Sequence, residues 1–241
     1  MHKLINAKNI DFAAIFAVIL TIAVIALAFS TPLVYADYHN KIDNTIVIDA
    51  GHGGIDGGVV GVKTGVKESV LNLKIAKIVG EYLVSAGFNV VFTRTNEGGL
   101  YADNVLTTKK RDDMEKRKKI INHANAKAVI SVHMNSYSSQ SRRGAQVFFN
   151  RKNKDSKIFG DIMQNLLNKD LNVAVGREYL ALSAEKFILE CTPSPVIIVE
   201  CGFLSNPLDE ANLINPTYQT KLAYSIAQGA VYYLSSCNSL T

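Results

Sequence analysis

The chain has 241 residues, 48% of them hydrophobic, and a formal net charge of +5. That length allows one domain with a substantial core, or two small ones. Its basic runs, Lys109-Lys110-Arg111 and Lys116-Arg117-Lys118-Lys119, are interrupted by Asp112, Asp113 and Glu115 and have no interleaved aromatic residues. They read as a solvated helix face and exclude a nucleic-acid-binding module.

Residues 12–29 are apolar except for Thr21, follow a short stretch bearing Lys3 and Lys8, and precede Leu33-Val34-Tyr35-Ala36. A charged start, an apolar middle and a Val-x-Ala end describe an export signal over 1–36, cleaved after Ala36. About 18 apolar residues also reach the lower limit for spanning a bilayer, so an uncleaved membrane anchor is the alternative. Either way the remainder is expected outside the cytoplasmic membrane. Residues 37–44 read as a short linker.

From position 45 onward short apolar runs alternate with longer amphipathic ones, the pattern of a sheet covered by helices. A first buried strand spans 45–49 and ends in a glycine-rich loop from 51 to 65. A helix over 69–85 follows, with Val70, Leu73, Ala76, Val79 and Leu83 on one face and Gly87 as its stop. The next strand is 89–93, then a polar insertion over 96–108 and a charged helix over 109–123. Strands at 128–132 and 144–149, a helix at 155–171 and a strand at 195–200 complete the middle. Asn206-Pro207 and Asn215-Pro216 each place proline at a first helical turn, predicting two closing helices. The fold class is α/β: a single domain over 45–236 with a mixed, mostly parallel sheet flanked by helices on both faces. The odd cysteine count (Cys191, Cys201 and Cys237) matches no compact zinc motif and reads as buried or incidental thiols.

In open α/β sheets reactive groups gather beyond the carboxyl ends of the strands. His52, His133 and Glu200 each stand at or just after the end of a different strand, and Glu68 opens the first helix after the glycine loop. Each has a structural alternative. A histidine after a strand is commonly a surface or core hydrogen-bonding residue, and Glu68 suits a helix start. Glu200 is harder to dismiss, because a carboxylate against so apolar a strand is costly unless paired or metal-bound. Two imidazoles and one carboxylate can hold a zinc ion with a position open for water, and a second carboxylate can then move protons. His2, His39 and His123 look incidental.

The segments Ile46-Val47-Ile48-Asp49-Ala50-Gly51-His52-Gly53-Gly54, Lys67-Glu68, Thr93-Arg94, Ser131-Val132-His133-Met134-Asn135 and Glu200-Cys201-Gly202-Phe203-Leu204-Ser205-Asn206 resemble, in that order, the zinc-dependent N-acetylmuramoyl-L-alanine amidases. The resemblance implies an amidase fold like that of the phosphorylase/hydrolase group. It implies one Zn2+ held by His52, Glu68 and His133, with Glu200 as catalytic carboxylate. The implied substrate is peptidoglycan, cut between N-acetylmuramic acid and L-alanine of the stem peptide. Arg94, Arg117 and Asn122 also match family positions, with structural and substrate-side roles both open, and Asp49 or a backbone carbonyl is a candidate for orienting the histidines. Ala50 departs from the family's usual proline. Within the family the resemblance is greatest to the spore-cortex amidases, which prepare muramic-δ-lactam for germination. A vegetative autolysin or cell-separation enzyme, a silent peptidoglycan-binding protein and a zinc carboxypeptidase are the alternatives. No wall-binding repeat is expected, so targeting falls to the membrane segment, the substrate or an accessory protein, which would also serve to retain the metal.

Overall fold

The computed structural model describes residues 44–102 and 108–238. The signal or anchor expected over 1–36, the linker up to residue 43 and positions 103–107 of the polar insertion lie outside them. Among the described residues no helix is long and apolar enough to cross a membrane.

Among the described residues six strands form one sheet: β1 (Thr45–Ala50), β2 (Asn89–Phe92), β3 (Ala128–Asn135), β4 (Gln146–Phe149), β5 (Leu182–Ser183) and β6 (Val196–Phe203), in the spatial order β2-β1-β3-β6-β4-β5. The run β2-β1-β3-β6 is parallel throughout, β4 is antiparallel to β6, and β5 is parallel to β4. The helices are α1 (Glu68–Ser85), α2 (Lys109–His123), α3 (Lys154–Asp170), α4 (Phe187–Glu190), α5 (Pro207–Leu213) and α6 (Pro216–Asn238), with a 3-10 turn at Asn172–Val175.

Strand alternation divides the side chains between two cores. Ile46 and Ile48 of β1, Ile130 and Val132 of β3, and Ile197 and Val199 of β6 belong to the larger core, which also takes in buried residues of α1, α3 and α6. The opposite face carries Val47, Val129, Val196 and Ile198, packed with Ile121 of α2 and with Ile188 and Leu189 of α4. Helices therefore cover both faces, as the alternating pattern predicts. Each fully buried aliphatic side chain contributes about 1.5–3 kcal/mol.

The face of the smaller core also carries the polar side chains that share its strand parity: Asp49, Ser131, His133 and Glu200. Cα register places His133 beside Glu200, and Glu200 beside Gln146. Both site strands run further than their apolar stretches suggest. β3 continues to Asn135 and β6 to Phe203, with an irregular register between His133 and Asn135. Met134, Cys201 and Phe203 are buried, and Leu204 N donates to Asn135 O at 2.9 Å, so pairing persists past the site. His133 and Glu200 thus lie within strands rather than at their ends. β4 starts at Gln146 instead of Gly144, because Gly144 has φ +97 and its N–H donates to Asp209 Oδ2.

Candidate functional site

The turn after β1 is held from beneath by two buried guanidinium groups. Arg94 donates from Nε to Ala50 O (2.8 Å) and from Nη2 to Gly51 O (2.9 Å) and Ser69 O (2.8 Å). Arg117 donates from Nη1 to Ala50 O (2.8 Å) and from Nη2 to His52 O (2.6 Å). Three successive carbonyls are fixed in this way, so the turn does not depend on a proline at position 50. It needs the support: His52 has φ 59, an unfavourable backbone region for a side chain of its size. Gly51 is required for a different reason, since a Cβ there would collide with the His133 ring.

Glu68, at the start of α1, is the junction of the site. Its Oε1 lies 3.0 Å from His133 Nδ1 and 3.2 Å from His52 Nε2, and accepts from Met134 N (3.0 Å) and Asn72 Nδ2 (3.2 Å). Its Oε2 accepts from Val59 N at 2.9 Å. Burial raises the carboxyl pKa, but the contacts with His133 and His52 outweigh it and hold the group well below the usual carboxylate range. His52 and His133 meet edge to face, with ring centroids 5.0 Å apart. One donor atom from each of His52, Glu68 and His133 lies within 4.8 Å of the others, a grouping that could hold a metal ion. Two nitrogens and one oxygen, on a turn, a helix start and a strand, fit a borderline divalent cation such as zinc.

Glu200 stands half-buried beside this group. Burial pushes its carboxyl up to about 7, with His133 opposing the rise and Glu68 adding to it. Its Oε2 is buried without a hydrogen-bond partner, which is the condition of a group waiting for a proton or a substrate. A cavity of about 590 Å³ opens over all four residues, with Lys110, Lys186 and Phe187 on its walls.

Asp49 does not orient either ring. It accepts from Arg117 Nη1 (2.6 Å), Thr93 Oγ1 (2.7 Å) and Ser131 Oγ (2.6 Å), closing the layer beneath the turn. Besides Glu68, the carboxylate beside an imidazole is Asp56, whose Oδ1 lies 2.9 Å from His52 Nδ1. Its placement four residues after His52 in the same loop is the only sequence signal for it. Arg94 and Arg117 make structural hydrogen bonds to the turn, Arg117 also lining the cavity, and Asn122 donates to Cys191 O at 3.0 Å and ties α2 to the end of α4. Glu210 of α5 also escapes sequence reasoning: it accepts from Lys63 N and Thr64 N, both at 2.7 Å, and pins the glycine loop from about 146 residues away. Cys191 and Cys201 are buried free thiols and Cys237 is a half-buried one.

Residues 46–232 match the family described as N-acetylmuramoyl-L-alanine amidase. The chain is 33% identical over 196 residues to the germination-specific N-acetylmuramoyl-L-alanine amidase of Bacillus subtilis (strain 168), covering 79% of each. It is 28% identical over 211 residues to the N-acetylmuramoyl-L-alanine amidase LytC of the same organism, covering 85% of this chain and 39% of that one. Among solved structures, the CwlD amidase from Clostridioides difficile, in complex with the GerS lipoprotein, superposes with a TM-score of 0.76 at 34% identity, covering 80% of this chain and 99% of that one. The α/β fold, the order of the motifs and these matches agree: the chain belongs to the N-acetylmuramoyl-L-alanine amidase family.

Proposed function

We propose that His52, Glu68 and His133 hold one Zn2+ and that Glu200 is the catalytic carboxylate. The observation that carries this reading is the convergence of three donor atoms within 4.8 Å beside a carboxyl whose buried Oε2 has no partner. A bound zinc ion would lower the pKa of water and polarise the scissile carbonyl. Glu200 takes a proton from the attacking water and returns it to the leaving nitrogen of L-alanine. The arginine-held turn keeps His52 in place through both transfers. Release of stem peptide from purified glycan strands, abolished by a chelator and restored by zinc, tests the assignment. His133→Ala should lose both metal and activity, and an active, metal-free variant would refute it.

The setting we favour is the spore cortex, with cleavage as the first step toward muramic-δ-lactam. Likeness to the germination-specific amidase supports it. Muropeptide analysis of spores from a deletion strain tests it; intact lactam would point instead to a vegetative or cell-separation role. Action on peptidoglycan requires the enzyme outside the cytoplasmic membrane, delivered by the N-terminal signal or anchored by it. The GerS complex of the C. difficile enzyme supports an accessory protein for targeting or metal retention. Zinc content measured with and without such a partner decides between those two roles.

A further inference from the structure

We propose that Lys186 forms a subsite for a carboxylate of the stem peptide, one residue beyond the bond that is cut. The inference rests on the assignment of the metal group and Glu200 above. His133, Glu200 and Gln146 form a row across three neighbouring strands on one face of the sheet. With the scissile carbonyl on the metal side and the leaving nitrogen over Glu200, the peptide continues away from His133, across β6 toward β4. Lys186 lines the cavity together with Glu200.

Charge pairing singles out this lysine. Of the other cations on the cavity wall, Arg117 is paired with Asp49 and Asp113, both at 2.6 Å, and Lys110 lies 3.3 Å from Asp56 Oδ2. Lys186 has no ion-pair partner among the described residues and is exposed at the rim. Its backbone is nevertheless fixed. Ala184 N donates to Phe149 O (3.0 Å), Leu189 N donates to Lys186 O (3.0 Å), and Ile188 and Leu189 are buried. The ammonium is therefore a charge without an ion-pair partner on an anchored segment, near enough to Glu200 to act on its carboxyl.

The chemistry of the stem supplies a matching anion. The second residue is D-glutamate joined through its γ-carboxyl, so its α-carboxylate is free about one residue length, roughly 4–6 Å, from the scissile nitrogen. Some walls carry this group as an amide instead, which offers no charge. An ammonium–carboxylate contact at this exposed rim favours the acid modestly.

The test uses the full chain loaded with zinc and two soluble disaccharide peptides that differ only in a free or amidated α-carboxyl. The wild type should prefer the acid about threefold in kcat/KM, through KM, a ratio equal to about 0.7 kcal/mol. Lys186→Ala should bring the ratio close to one, Lys186→Arg should keep most of it, and Lys186→Glu should invert it, all with unchanged zinc content. An unchanged ratio in Lys186→Ala overturns the subsite. Equal losses on both substrates overturn it too, and show that the lysine acts on Glu200 or on the fold. If the wild type cleaves neither substrate, the metal-site assignment falls and the subsite with it.

Discussion

Replacing Arg117 with methionine should destabilise the chain strongly at neutral pH and much less in acid. Arg117 is 1% exposed and donates to Asp49, Asp113, Ala50 O and His52 O. Methionine fills much of the volume but leaves Asp49 buried with only two hydroxyl donors. Breaking a buried pair by removing one partner costs about 3–5 kcal/mol. Part of that is visible in the titration of Asp49. Burial raises its pKa, and Arg117, Ser131 and Thr93 more than offset this to hold it at about 2, against an ordinary 3.8. A depressed carboxyl stabilises the fold above its unfolded pKa, and that contribution, about 2 kcal/mol here, is lost as pH falls from 3.8 toward 2.

In the variant the sign reverses. Without the guanidinium, burial raises the folded pKa of Asp49, and protonation then relieves the penalty as pH falls. Urea unfolding of both proteins at about pH 7.5 and at about pH 4.5 should therefore show a deficit of about 3–5 kcal/mol that shrinks in acid. Asp49→Asn combined with Arg117→Met should recover part of the loss at the higher pH. A deficit below about 1 kcal/mol, or one that grows as pH falls, would refute the reasoning.

Gly51→Ala should displace the His133 ring, weaken metal binding at least about tenfold and cost about 1–3 kcal/mol in overpacking; metal titration and urea unfolding measure the two effects. Glu200→Gln should retain the metal while lowering kcat by at least about 100-fold, since it removes the proton carrier. The same change should stabilise the metal-free chain. A carboxyl raised from 4.5 to about 7 favours folding below pH 4.5 and loses that contribution as pH rises through 7. At about pH 8 the amide should therefore gain about 2–3 kcal/mol in urea unfolding, and no gain would show that Glu200 is not desolvated as described. For the wild type, kcat/KM should rise with pH with a midpoint at or below about 7, because the base form is required and a bound cation lowers the midpoint further.

Strong periodicity makes the large elements legible. The charged helix expected over 109–123 coincides with α2, and the helix expected over 69–85 differs from α1 by one residue. The site strands β3 and β6 are longer in the fold than in expectation, because pairing continues past the polar residues at 133 and 200. β5, with two residues, and α4, with four, are too short to show a period. The site is legible as four residue types in ordered motifs, but its supports are not. Asp49 reads from sequence as a partner for histidine and is in fact a partner for arginine. Glu210 reaches the glycine loop only through the folded chain.

The site and its supports divide a cost between them. His52 holds a strained backbone, and the Oε2 of Glu200 is buried without a hydrogen-bond partner, so both residues work against folding. Directly beneath them, Arg94, Arg117 and Asp49 form a layer whose hydrogen bonds end on the carbonyls of Ala50, Gly51 and His52. The arginines touch no proposed metal-donor atom, yet they fix where His52 stands. Loss of His52 or His133 should therefore remove chemistry at little cost in stability, whereas loss of an arginine, or of Glu68 with its buried partners Met134 N and Asn72, should remove stability as well as metal affinity. Measured together, zinc affinity and unfolding free energy should separate the histidine variants from the arginine ones, and a His52 or His133 variant that unfolds as readily as Arg117→Met would join the layers that the geometry keeps apart.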